Sequence, residues 1–183
     1  MSVLSDRELR RLYPESPYIQ SASIDLHVGD TLAYWPPFLV RDPRIDQSNR
    51  WQALPTLELE PGDPTWTLMP GLRYLAATRE RVAIPRYLSG QIAARSSWGR
   101  DGLAVICGPA GFIDPGFEGD LVLELSVVGS SLVLRPGDRI AQLILSELTS
   151  ECSRPYGHPS LRSKYQNQEG VTPSLSHLDG GAV

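Results

Sequence analysis

The sequence predicts a mainly β protein, a sandwich or jelly-roll-like barrel of short strands opened by one short helix. Three observations carry this. Glycine and proline, 16 of each in 183 residues, exceed the roughly one residue in eight of an average chain. Proline removes a helix donor and glycine weakens helices, so a helical bundle is excluded. Short runs of alternating apolar and polar residues are separated by turn signals at the roughly 8–12-residue spacing of sandwiches and barrels. A hydrophobic fraction of 41% with a net charge of −4 supplies one real core and excludes a disordered chain.

Ser5-Asp6-Arg7-Glu8 has the Ser-x-x-Glu pattern of a capping box, opening a helix to about Leu12 that Pro14 and Pro17 end. Ser23 to Val28 alternates, Gly29-Asp30 turns, and Thr31 to Trp35 follows, which reads as a β-hairpin. Residues 36–64 are a Pro- and Asp-rich excursion carrying Trp51. Strands are expected at Trp66–Met69, Arg73–Thr78 and Leu88–Ala94, with a turn at Pro70-Gly71. Arg95 to Gly102 lacks alternation and fits a single helical turn. Gly102–Cys107 is apolar and β-prone, Gly108-Pro109-Ala110-Gly111 turns, Phe112-Ile113-Asp114 is extended, and Pro115-Gly116 turns again. Asp120–Val127 and Ser131–Leu134 alternate, Pro136-Gly137-Asp138 turns, and Ile140–Leu148 is the last strand. Residues 1–149 therefore make one β-barrel domain. Residues 150–183 are a polar tail that must find a partner surface.

No apolar run approaches the roughly 18 residues of a membrane span. Met1 to Asp6 shows no basic region followed by an apolar stretch, so a cytoplasmic protein without membrane contact is expected. A sequence pI of 5.4 gives no general attraction to nucleic acid. Cys107 and Cys152 do not make a disulfide framework, and His27, His158 and His177 stand singly. With no Cys-x-x-Cys or His-x-Glu pair, no zinc site is expected.

Several constellations can carry chemistry. Arg95-Ser96-Ser97-x-x-Arg100 puts two guanidinium forks and two hydroxyls within six residues, a set that suits phosphate oxygens. Spacing alone serves equally a solvated turn with a helix cap. Phe112, Ile113 and Phe117 surround Asp114, which is either a turn former or a carboxylate at the mouth of a ligand slot. Alternation groups Leu121, Leu123 and Leu125 on one face and Val122, Glu124 and Ser126 on the other. If the second face is solvated, Glu124 is ordinary; if it faces a pocket, burial fits it for proton transfer. Asp138-Arg139 reads as a turn with a local ion pair. Gln142, in an apolar strand, needs a partner for its amide if buried. Lys164 to Gln168 offers donors for phosphate, or is plain tail.

At these residues the chain resembles the deoxycytidine triphosphate deaminase branch of the trimeric deoxyuridine triphosphatase superfamily. The matching segments are Leu4–Leu9, Gln20-x-x-Ser23-Ile24-Asp25-Leu26, Arg95–Leu103, Ala110–Gly119 with Leu123-Glu124-Leu125, and Pro155-Tyr156-Gly157 with Ser163-Lys164-Tyr165-Gln166-x-Gln168. The resemblance implies a distorted dUTPase-like β-barrel that forms a homotrimer with active sites between subunits. It implies deamination without zinc, the usual metal for nucleobase deamination, and Mg2+ held only through the triphosphate. On this resemblance Glu124 is the general base that activates water against C4 of cytosine, and Arg100 and Ser96 hold that water and the tetrahedral centre. Arg95, Ser96 and Ser97 bind phosphates, Asp114 takes the deoxyribose 3′-hydroxyl, and Phe112, Ile113 and Gln142 belong to the substrate pocket. Tyr156, Lys164 and Gln168 close over the triphosphate from the tail.

Within the family, Arg100 together with Glu124 resembles deaminases, while Ala110-Gly111-Phe112 resembles members that continue to dUMP and diphosphate. Asp114 then also activates the water that attacks phosphorus. Pro136 to Ile144 is similar to a diphosphatase motif. The expectation is hydrolysis of dCTP to dUTP or onward to dUMP, with dTTP as a candidate inhibitor. The alternatives are a monofunctional dUTP diphosphatase and a non-catalytic nucleotide-binding homologue. The chain departs from the deaminase pattern at Asp101 and across Val105–Pro109, with one residue more between Arg100 and Ile113.

Overall fold

Helix α1 (Asp6–Leu12) starts at Ser5, where the sequence places it, but the capping box does not form. The Ser5 side chain makes no cap bond, and Glu8 turns outward to receive two hydrogen bonds from Arg11 at 2.8 and 2.9 Å. Its anchor is Leu9, fully buried against the core. The computed structural model describes residues 2–106 and 111–180. The turn expected at Gly108-Pro109-Ala110 and the strand end at Cys107 lie outside the described residues.

The expected hairpin at 23–35 is instead one strand, β1 (Ile24–Tyr34). Gly29-Asp30 forms a bulge where β1 changes partners: residues 24–27 pair with β11 (Arg139–Glu147), and residues 28–34 pair with β5 (Tyr74–Ala83). Gly29 keeps an ordinary negative φ, so no hairpin turn is made. A Cβ at Gly29 would lie 3.1 Å from the Ala77 carbonyl oxygen, so glycine here serves close approach to β5.

Part of the 36–64 excursion is ordered β structure. It contains β2 (Gln52–Ala53) and β3 (Leu57–Glu60), which forms a hairpin with β4 (Asp63–Leu68). The remaining elements are β6 (Leu88–Ala94), α2 (Ser96–Arg100), β7 (Leu103–Val105), β8 (Phe112–Ile113), β9 (Glu118–Val127) and β10 (Leu132–Leu134).

The larger sheet runs β7-β9-β5-β1-β11-β6-β8, with β2 on β1, and the smaller runs β10-β4-β3. Among the described residues every strand pairing is antiparallel. The α2 segment joins β6 to β7, which stand five strand spacings apart in that order. A flat sheet would put them about 24 Å apart, more than one helical turn and its flanks reach. The sheet therefore curls, and β6 and β7 touch. The predicted mainly β barrel is the observed fold. Its core is filled by Leu26, Trp66, Leu68, Leu123, Leu125, Leu134, Ile140 and Leu143. The Trp66 indole N–H donates to the Leu54 carbonyl at 3.1 Å, so its burial leaves no donor unmet.

From Thr149 the chain runs without strands back along β9. The backbone N–H of Asn167 donates to the Glu118 carbonyl at 2.7 Å, and that of Asp120 to the Gln168 carbonyl at 3.0 Å. The Asp120 carboxylate accepts from the Gly170 N–H at 2.8 Å. Gly116, at φ +86°, lies under this segment, where a Cβ would come within 2.5 Å of Pro155.

Candidate active site

Alternation along β9 sends Leu121, Leu123 and Leu125 into the core, at 4%, 1% and 0% exposure. Val122 and Glu124 therefore share the opposite face. That face lines a cavity of about 530 Å3, with the Glu124 side chain still 37% exposed. The β8–β9 turn delivers Phe112, Ile113 and Asp114 to the same cavity. Asp114 also does the work of a turn, since its carbonyl accepts from the Phe117 N–H at 3.2 Å. The tail adds Tyr156 and Gln168. Tyr156 packs edge-on against Phe117 at 5.7 Å between ring centroids, and its hydroxyl accepts from the Tyr165 N–H at 3.0 Å.

Six predicted site residues thus meet in one cavity: Glu124, Asp114, Phe112, Ile113, Tyr156 and Gln168. Arg95, Ser96, Ser97, Arg100, Gln142 and Lys164 do not line it. Arg95 caps the start of α2, and its Nη1 lies 2.5 Å from Oδ1 of Asp25, a carboxylate with 1% exposure. Arg139 and Gln20 donate to the other oxygen of Asp25 at 3.3 and 3.1 Å. The local ion pair expected between Asp138 and Arg139 is absent, because a buried carboxylate is the stronger attractor. Asp138 instead accepts from the Arg135 N–H at 2.7 Å. Gln142 finds its partner beside this cluster, accepting from the Ser23 hydroxyl at 2.8 Å. Ser96, Ser97 and Arg100 stand exposed on α2. Lys164 pairs with Asp179 at 2.5 Å.

The other cavity wall comes from the excursion, whose contribution the sequence reading missed. Trp35 and Trp51 meet edge to face at 5.5 Å, and the Arg41 guanidinium lies 4.9 Å from the Trp35 ring centre and 5.8 Å from that of Trp51. Burial and the charge of Arg73 push the Arg41 pKa down, against the opposing pull of Glu124. Arg73 Nη2 is 3.8 Å from Glu124 Oε2. The Ser176 hydroxyl donates to the Pro43 carbonyl at 3.0 Å, tying tail to excursion across the cavity. Trp51 in an otherwise polar, Pro-rich stretch, with Trp35 just before it, was the available signal, since such residues rarely serve a plain linker.

Aromatic rings and the two carboxylates Asp114 and Glu124 thus line one cavity on a curled antiparallel sheet, and small-molecule sites generally combine apolar walls with a few polar groups in this way. The family model described as dCTP deaminase-like matches residues 3–148. A Corynebacterium efficiens protein named dCTP deaminase, dUMP-forming, is 38% identical over 189 residues, covering 97% of this chain and 95% of that one. A Mycolicibacterium smegmatis protein of the same name is 40% identical, covering 97% of each. The solved 2′-deoxycytidine 5′-triphosphate deaminase of Agrobacterium tumefaciens shares the fold, with a TM-score of 0.61 at 23% identity. It spans 80% of this chain, which in turn covers 48% of that one. The chain belongs to the dCTP deaminase-like family.

Proposed function

We propose that this protein hydrolyses dCTP in pyrimidine deoxynucleotide metabolism, releasing ammonia and carrying the product on to dUMP and diphosphate. The observation that carries the reading is Glu124 projecting from β9 into the aromatic cavity beside Asp114. The relatives named dUMP-forming support the second step.

Glu124 takes a proton from a water molecule as the water oxygen bonds to C4. The tetrahedral centre collapses as the 4-amino group receives a proton and leaves as ammonia, giving dUTP. Asp114 holds the 3′-hydroxyl and assists the second water, which attacks phosphorus and expels diphosphate. Arg100 and Ser96 hold the first water, and Arg95 with Ser97 binds phosphate. Because these four do not line the cavity of their own chain, a neighbouring copy in a homotrimer supplies them. Tyr156, Lys164 and Gln168 close the site, with Lys164 exchanging Asp179 for phosphate. Among the described residues no three His, Cys, Asp or Glu side chains gather to hold a metal. A magnesium ion would arrive on the triphosphate, where it would offset phosphate charge. The same cavity accommodates dTTP as an inhibitor, and the setting is the cytoplasm.

Incubation with dCTP and magnesium, beside a parallel incubation with dUTP, tests the reading. Ammonia, dUMP and diphosphate from dCTP are expected. Accumulating dUTP would restrict the activity to deamination. Cleavage of dUTP without ammonia from dCTP would make the protein a diphosphatase, and binding without turnover would make it a nucleotide-binding module.

A further inference from the structure

Three charged groups, Arg41, Arg73 and Glu124, line the cavity, and their hydrogen-bonding capacity within the chain is unspent. Arg73 Nη2 and Glu124 Oε2 are 3.8 Å apart, too far for a hydrogen bond to each other. Among the described residues neither side chain makes a hydrogen bond, and Arg41 is held only by its two indole rings. Two guanidiniums thus address one carboxylate, leaving a surplus of donors and of positive charge. Arg41 is exposed, and Arg73 opposes its charge. A ligand that brings acceptors can replace the water around such a cluster.

A carboxylate only accepts hydrogen bonds and a guanidinium only donates them, from a planar fork. Side by side they present an acceptor followed by donors. Cytosine offers the matching edge: the 4-amino group donates, and N3 and O2 accept. Uracil offers O4, N3–H and O2, so two of its three positions face like groups. The Trp35, Trp51 and Phe112 rings supply flat surfaces to the same cavity.

We propose that Arg73, backed by Arg41, reads the N3/O2 edge of cytosine while Glu124 meets the 4-amino group, making Arg73 a specificity-determining residue. The inference rests on the deamination reading and deepens it. The match places C4 next to Glu124, where water is to be activated. It also breaks once the amino group has become O4, so the product base is held less firmly than the substrate base.

The test is binding of the α,β-imido analogues of dCTP and dUTP by calorimetry, in an Arg100→Gln background that holds back turnover. Arg73→Gln is expected to raise Kd for the cytosine analogue about 10- to 100-fold, the range for losing a good bidentate base contact. Kd for the uracil analogue should move less than about twofold. Arg73→Lys keeps the charge but loses the fork, and recovers only part of the cytosine-to-uracil ratio. Equal losses for both bases, or no loss for either, would overturn the proposal. If Arg73→Gln does not fold, a ratio unchanged in Arg73→Lys overturns it, and a fallen ratio supports it. Failure of the underlying reading shows separately, as absence of ammonia when the unmutated protein meets dCTP.

Discussion

Asp25→Asn removes the charge beneath the Arg95 cap of α2 while keeping side-chain volume. Asp25 is 1% exposed and faces Arg95 at 2.5 Å and Arg139 at 3.3 Å. Deleting one partner of a fully buried pair costs about 3–5 kcal/mol, because the other charge is stranded. Here the partners are not stranded, since Arg95 is 29% and Arg139 50% exposed. Water reaches both, so we expect a smaller loss, about 2 kcal/mol. For a chain of this size that lowers Tm by roughly 4–8 °C. Urea denaturation at fixed protein concentration should show a lower midpoint with an unchanged slope. Turnover of dCTP should also fall, because Arg95 no longer sets where α2 and its Ser96-Ser97 pair begin. A variant melting within about 1 °C of the parent would refute the reasoning, since Asp25 would then not be the charge that organises this cluster.

Glu124→Gln should still bind nucleotide but lose ammonia release by about 10²–10⁴-fold, the usual contribution of a general base; an active variant removes Glu124 from the mechanism. Leu125→Ala should cost about 3–5 kcal/mol in denaturant titration, whereas Val122→Ala on the cavity face should cost under about 1 kcal/mol. Equal costs would contradict the assignment of faces. Burial, with Tyr87 nearby, pushes the Tyr13 hydroxyl up to about 12, so the folded state keeps its proton more tightly than the unfolded chain. Its stabilisation is complete below about pH 10 and is lost as pH rises towards 12. Tyr13→Phe, which also loses the 2.8 Å bond to the Ala83 carbonyl, should be less stable at pH 8, with the gap narrowing by pH 11. A pH-independent gap would contradict this. Gly116→Ala forces an L side chain into φ +86° against Pro155 and should lift the tail, seen as faster proteolysis after Thr149 and a raised KM for nucleotide.

Most strands were legible because alternation and turn chemistry are local. Leu88–Ala94 forms as expected, and the turns at Gly71 and Gly137 take the positive φ that glycine allows. The failures share one cause. Gly29-Asp30 carries a hairpin's local signature, yet two different strands claim the two halves of β1. Ser5-x-x-Glu8 carries a capping box's signature, yet Glu8 has a nearer cation in Arg11. Arg139 neighbours Asp138 in sequence, yet Asp25 lies buried across the sheet. In each case a partner distant in sequence, or one turn away, outweighed the neighbour that spacing named.

The sequence by itself determined a mainly β fold with a single core, the two faces of β9, and the segments that resemble the dCTP deaminase family. These follow from period, turn residues and motif order, which need no knowledge of what packs where. Only the tertiary structure decided which face of β9 meets a cavity, and that Trp35, Arg41, Trp51 and Arg73 close it around Glu124. It also separated the α2 residues from that cavity within one chain. Curling of the sheet sets which distant residues share a volume, and that is a property of strand order rather than of any stretch of sequence.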